Sequence, residues 1–163
     1  MSDSAAPRKI SVDSAALSRR LQELALISEA PTPVVTRVLF AEADLRGRDY
    51  VRQSAREAGL TIREDAVGNI FARWEGSEPT LPAVGTGSHT DAIPNAGLYD
   101  GVVGVLGGFE ALHALKRAGF KPRRSIEVVM FTAEEPTRFG LGCLGSRLMA
   151  GALPLAKARA LLK

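Results

Sequence analysis

The chain has 163 residues, about one domain's worth, with 45% hydrophobic and 24% charged residues. That composition excludes a disordered chain, and a domain of this size buries roughly 68–70% of its unfolded surface. Twenty-one basic against eighteen acidic residues give a net charge of +3, with no basic stripe interleaved with aromatics, so no nucleic-acid partner is expected. The single cysteine, Cys143, excludes an intrachain disulfide framework and a multi-cysteine zinc finger. Residues 1–9 are polar and carry no apolar stretch of the secretory kind. No run approaches the roughly 18 apolar residues of a membrane span, so a cytoplasmic protein without membrane partners is expected.

Residues 1–10 read as a disordered tail. Ala16, Leu17, Leu21, Leu24 and Ile27 then recur at helical spacing, with Asp13 or Ser11 as N-cap and Pro31 and Pro33 as stops. A second helix is predicted over 41–58, closed by Gly59 in a left-handed position. Residues 61–65 and 69–74 alternate as two strands joined by a turn at Val67-Gly68-Asn69. A buried strand over 81–88 runs into a glycine-rich loop ending at Tyr99-Asp100, followed by a small-residue helix over 102–118. Residues 125–132 (SIEVVMFT) carry the strongest central-strand pattern in the chain. The whole reads as α/β, a mostly parallel mixed sheet flanked by helices. Residues 152–163 are helical in composition and reach Lys163 without a stop signal, the pattern of a fragment.

Ionisable groups gather at predicted strand ends. His89 and Asp91 follow one strand, Asp100 closes the next loop, and Glu134-Glu135 follow another. The crevice at the carboxyl ends of parallel strands is where ligands bind in such sheets. Imidazole nitrogen and carboxylate oxygen suit a divalent metal, zinc or manganese alike. Asp91, two residues from His89 in extended chain, points to the same side and could accept from its second ring nitrogen. One glutamate could bind metal while its neighbour takes a proton from a water acidified by that metal. Taken singly these signals are weak, since a Glu-Glu pair is more often a solvated helix start.

Other chemistries fit poorly. Gly85-Thr86-Gly87-Ser88-His89-Thr90 has Thr90 where a dinucleotide fingerprint needs its third glycine. Gly101-Val102-Val103-Gly104 lacks the lysine of a phosphate loop, and neither Ser88 nor Ser146 sits in a nucleophile elbow. Cys143 reads as a small packed thiol and His113 as a structural helix residue.

The segments GSHTDAIPNAGLYDGVVGVLG (87–107) and FTAEEPTRFG (131–140) resemble signature blocks of co-catalytic metal amidohydrolases in the zinc aminopeptidase/aminoacylase superfamily. The resemblance spans residues 33–151. It lies in the branch of allantoate amidohydrolase and N-carbamoyl-L-amino-acid hydrolase. TIREDAVGNIFARW, CLGSRLMAG and Pro136-Thr137, in place of a Gly-Ser pair, side with the ureidoglycolate amidohydrolase subgroup.

The resemblance implies an incomplete zinc-aminopeptidase-like catalytic domain, residues 11–163 forming its N-terminal part. Within it, His89 would ligate one metal, Asp100 would bridge two divalent ions, zinc or manganese, and Glu135 would hold the second. Glu134 would be the general base and Asp91 would orient His89. Two further histidine ligands and a lid domain carrying a homodimer interface would lie outside this chain, so 163 residues alone are expected to be inactive. The expected substrate is a small ureide, ureidoglycolate first, with allantoate or an N-carbamoyl amino acid as the alternative. The rival of another class is a truncated, non-catalytic binding module.

Overall fold

A computed structural model describes residues 10–161; the expectations for residues 1–9, 162 and 163 lie outside the described residues. Helix α1 spans Ser14–Ala25, strand β1 Val35–Arg37, helix α2 Glu42–Glu57, and strands β2 and β3 Thr61–Glu64 and Ile70–Trp74. Strands β4 and β5 span Val84–His89 and Ala92–Ala96, helix α3 Val102–Arg117, strand β6 Ile126–Phe131, and helices α4 and α5 Leu144–Met149 and Leu155–Ala160. No helix among the described residues is long and apolar enough to cross a membrane.

The main sheet runs β2-β3-β6-β4, so the strand with the strongest apolar pattern holds an inner position. β4 pairs parallel to β6, with His89 opposite Phe131, whereas β2 with β3 and β3 with β6 are antiparallel. The mixed α/β architecture flanked by helices is therefore present, but two of its three ladders are antiparallel rather than most being parallel. A five-residue turn folds β3 straight back on β2, the hairpin expected from the sequence, and β3 then pairs antiparallel with β6. In that turn the Asp65 carboxylate accepts from the amides of Val67 (3.0 Å) and Asn69 (2.9 Å), and Gly68 takes a φ of 89°.

Three elements went unread in the sequence. β1 has three residues and β5 contains Pro94 and Asn95, too short or too broken for a strand pattern, yet they pair antiparallel as a second small sheet. Helix α4 has six residues including Gly145. The other helices follow the expected spacings. Asp13 caps α1, its side chain accepting from the Ala16 amide at 2.9 Å, and Gly59 and Gly119 follow α2 and α3 with positive φ.

One face of the sheet, through Ile70, Ala72, Val128 and Met130, packs on Leu24, Val51, Leu106 and Phe109 of the three long helices. Gly104 and Gly108 let α3 lie close on β4 and β6, since a methyl at 104 would come within 2.5 Å of Ser88 Cβ. Each glycine costs a helix about 0.5–1 kcal/mol, less than the about 1.5–3 kcal/mol that each large buried apolar side chain contributes. Close packing wins.

Arg37, 1% exposed, ties the end of α1 to the end of β4: it donates to the carbonyls of Ile27 (2.9 Å), Thr90 (2.8 Å) and Leu24 (2.6 Å). Its burial lowers the guanidinium pKa to about 10, against the opposing charges of Asp44 and Asp91. Replacing Arg37 by Leu removes three hydrogen bonds, two of them buried, and should lower stability by about 2–4 kcal/mol. Urea unfolding should show a lower midpoint at unchanged slope.

The α1–α3 contact is acid-sensitive. Buried Glu110 would have a raised pKa from burial alone, but Arg117 at 2.6 Å and the Asp13 amide at 2.8 Å hold it below its ordinary 4.5. Burial, then the charge of Arg20, holds His113 below its ordinary 6.5, and its Nε2 has no hydrogen-bond partner. Both groups carry depressed pKa values, so their stabilisation is present above the unfolded values and lost as pH falls. Urea titrations at pH 7, 5 and 3 should show the loss, beginning near 6.5 for His113 and near 4.5 for Glu110, and His113→Leu should flatten the first portion.

Candidate metal centre

Parallel pairing brings the carboxyl ends of β4 and β6 side by side, with His89 on one and the 132–135 segment leaving the other. Ala133, at a φ of 53°, turns the chain immediately after β6. The bend therefore precedes the glutamate pair. Both carboxylates come round to the His89 side: one ligand atom each from His89, Glu134 and Glu135 lies within 4.8 Å of the others. His89 Nε2 is 3.4 Å from Glu134 Oε2 and 4.0 Å from Asp100 Oδ1. Asp100 is largely exposed and stands on the His89 side, outside that three-group cluster.

Asp91 does two things. Its backbone carbonyl lies 2.9 Å from His89 Nδ1, and since a carbonyl only accepts, Nδ1 carries a proton and Nε2 faces the carboxylates. Its own carboxylate, 3.6 Å from Nδ1, accepts from the backbone amides of Glu135 (3.0 Å) and Glu134 (3.4 Å). One buried aspartate thus fixes the imidazole and the main chain of both glutamates. The sequence placed Asp91 beside His89, but the orienting atom is the carbonyl, and the carboxylate's second task had no local sign.

Burial alone would lower the His89 pKa; the hydrogen bonds and charge of Asp91, with the charge of Glu134, override it and hold it up to about 9. Glu135 is shifted upward by burial and by the carboxylates of Glu134, Asp100 and Asp91, against the pull of His89. These are the fields of a site with surplus negative charge, which a cation relieves.

Two further residues act here without having been singled out for the site. Gly101, at a φ of 67°, lies against the imidazole, and a methyl there would come within 2.5 Å of the ring. Cys143 is more than a packed thiol: its Sγ donates to Glu134 Oε1 at 3.2 Å, and that bond, then burial, raises its pKa. His113 lies on α3, in the α1–α3 contact and away from this cluster.

The residues fit a divalent metal. An imidazole nitrogen and two carboxylates converge, the second imidazole nitrogen is already paired, and glycine keeps the ring face clear. A mixed α/β domain that gathers these groups at adjacent strand ends has the architecture of a metal-dependent hydrolase. The chain belongs to Peptidase family M28, whose family model matches residues 69–163, more than half of its length.

It is 60% identical over 149 residues to a ureidoglycolate hydrolase of Arabidopsis thaliana, covering 91% of this chain and 31% of that protein. It is 44% identical over 138 residues to an N-carbamoyl-L-amino acid amidohydrolase of Geobacillus stearothermophilus, covering 85% and 34%. Among solved structures, AtUAH in complex with glyoxylate superposes with a TM-score of 0.86 at 61% identity, covering 88% of this chain and 34% of that one. A hydantoinase/carbamoylase family amidase from Burkholderia ambifaria gives 0.88 at 42% identity, covering 91% and 37%. The chain therefore spans about a third of the length of these relatives.

Gly101→Ala should drive a methyl into the His89 ring and weaken Zn²⁺ binding by about tenfold or more, read by calorimetric titration of the complete protein. Unchanged affinity would show that His89 is not a ligand.

Proposed function

We propose that the protein carrying this chain is an amidohydrolase that cleaves the ureido C–N bond of ureidoglycolate, with residues 11–163 as the N-terminal part of its catalytic domain. The convergence of His89, Glu134 and Glu135 on one point, held by Asp91, carries the reading. The substrate rests on the similarity to ureidoglycolate hydrolase and on Pro136-Thr137.

Two divalent cations, zinc or manganese, would be held by His89, by Asp100 as the shared ligand and by Glu135, with ligands outside this chain completing the set. When bound, they supply Lewis-acid polarisation of the ureido carbonyl and a water ionisable near neutral pH. Glu134, with Oε2 beside His89 Nε2, takes a proton from the attacking water and returns it to the leaving nitrogen. Cys143 holds the other carboxylate oxygen, so Oε2 alone is directed at the centre. The water oxygen ends on the carbamoyl carbon and the bond to the leaving nitrogen breaks. One water in total converts ureidoglycolate to glyoxylate, carbon dioxide and two ammonia, by way of hydroxyglycine. The solved complexes of AtUAH hold the last two carbon compounds of that sequence, (S)-hydroxyglycine and glyoxylate.

In the complete protein Glu134→Gln should lower kcat by about a hundredfold or more while bound metal stays at the parent's level, read by elemental analysis. Comparing kcat/KM for ureidoglycolate, allantoate and an N-carbamoyl amino acid tests the substrate. Faster turnover of either rival would replace it.

A further inference from the structure

Asn69, wholly buried just before β3, is not one of the candidate ligands and makes contacts that none of them explains. Its Oδ1 accepts from the Thr132 amide at 2.9 Å, and its Nδ2 donates to the Gly145 carbonyl at 3.1 Å and to Asp65 Oδ2 at 2.8 Å. Thr132 and Gly145 are the two sides of a stem: Gly145 N bonds Thr132 O at 2.9 Å, Leu144 N bonds Ala133 O at 2.8 Å, and Cys143 N bonds Glu134 O at 2.7 Å. Glu134 is the last residue on its side of that stem, and Glu135 is the first residue of the loop beyond it.

We infer that Asn69 is a positioning residue for the Glu134-Glu135 pair, clamping both sides of the stem so that the pair meets His89. The inference rests on the metal-centre reading of that pair. A primary amide is the side chain that can accept from Thr132 N–H and donate to Gly145 C=O at once; aspartate lacks the donor and leucine lacks both. The stem leaves it no slack, because a methyl on Gly145 would come within 2.4 Å of both Asn69 Oδ1 and the Thr132 carbonyl. The clamp is itself anchored: Asp65 holds Asn69 by backbone and side chain, and Arg48 donates to Thr132 Oγ1 at 3.2 Å and to the Gly68 carbonyl. The turn between β2 and β3 thereby reaches across the sheet to set the carboxylates.

The test compares Asn69→Ala with the parent, both in the complete protein, by amide NMR, hydrogen exchange and Zn²⁺ titration. The Glu134 and Glu135 amides, which donate to Asp91, should shift and exchange at least tenfold faster, while amides in the middle of the β3–β6 ladder keep their relative protection. Zn²⁺ affinity should fall about 10–100-fold. Unmoved Glu134 and Glu135 amides, with only a lower Tm, would overturn the inference. Should Asn69→Ala not fold, Asp65→Ala frees the same amide side chain more gently and should move the same signals in the same direction. His89→Ala separates the two readings. Zn²⁺ affinity lost there but kept in Asn69→Ala overturns the clamp alone. Displaced amides in Asn69→Ala, with no Zn²⁺ affinity in the parent, support the clamp and overturn the metal reading.

Discussion

The parallel ladder between β4 and β6 is the constraint on which the rest depends. It sets His89 opposite Phe131, so that the next residues of both strands leave the sheet at the same place. The ladder in turn depends on Gly87, where a β-carbon would come within 1.9 Å of the Val129 carbonyl. At a φ of 152° this position is also one that side chains rarely adopt. Parallel strands need a crossover, and α3 supplies it, its own glycines admitting it close to the same two strands. The fold and the site are thus fixed by one strand pair.

What that pair brings together must then be kept from collapsing or drifting apart. Asp91 does this from the β4 side, through its carbonyl to the imidazole and its carboxylate to two amides of the opposite segment. From the other side the 132–145 stem is zipped by three backbone bonds. Bonds to a carboxylate are worth roughly twice those between neutral groups, so Asp91 is the stronger of the two ties. It is also the one whose charge enters the site.

Local patterns made much of this legible in the sequence. Helical spacing gave α1, α2 and α3, since each buries one stripe on the same sheet face. The apolar run at 125–132 announced an inner strand. The clustering of His89, Asp91, Asp100 and Glu134-Glu135 after strands pointed to one crevice. What stayed hidden was non-local. Asp91 reaches amides 43 and 44 residues away, and Asn69 reaches Thr132 across 63. No spacing rule encodes such partners. Strand direction was misjudged for the same reason: alternating elements suggest parallel pairing, but which neighbour β3 takes is decided by the sheet as a whole. The bend at Ala133 was invisible because alanine carries no turn signal.

That bend shows how the protein arranges its stability around the site. Ala133 and Cys143, non-glycine residues at φ values of 53° and 59°, sit on opposite sides of the stem, Ala133 bonded to Leu144 and Cys143 to Glu134. Each such conformation costs of order 1–3 kcal/mol and persists only where its surroundings over-determine it. Here the surroundings are the stem bonds on both flanks and the burial of Ala133, 1% exposed, beneath the loop. The carboxylates so presented repel one another, which adds to burial in shifting Glu135 upward. Backbone strain and like charge therefore accumulate at the same few residues. A fold selected for stability alone would relieve both by extending the strand past Thr132 and turning the two acids to opposite faces. Holding them together is unfavourable in itself, and a cation beside them would relieve the repulsion. The stem bonds at 132–145 therefore hold in place an arrangement that neither backbone strain nor like charge would favour alone.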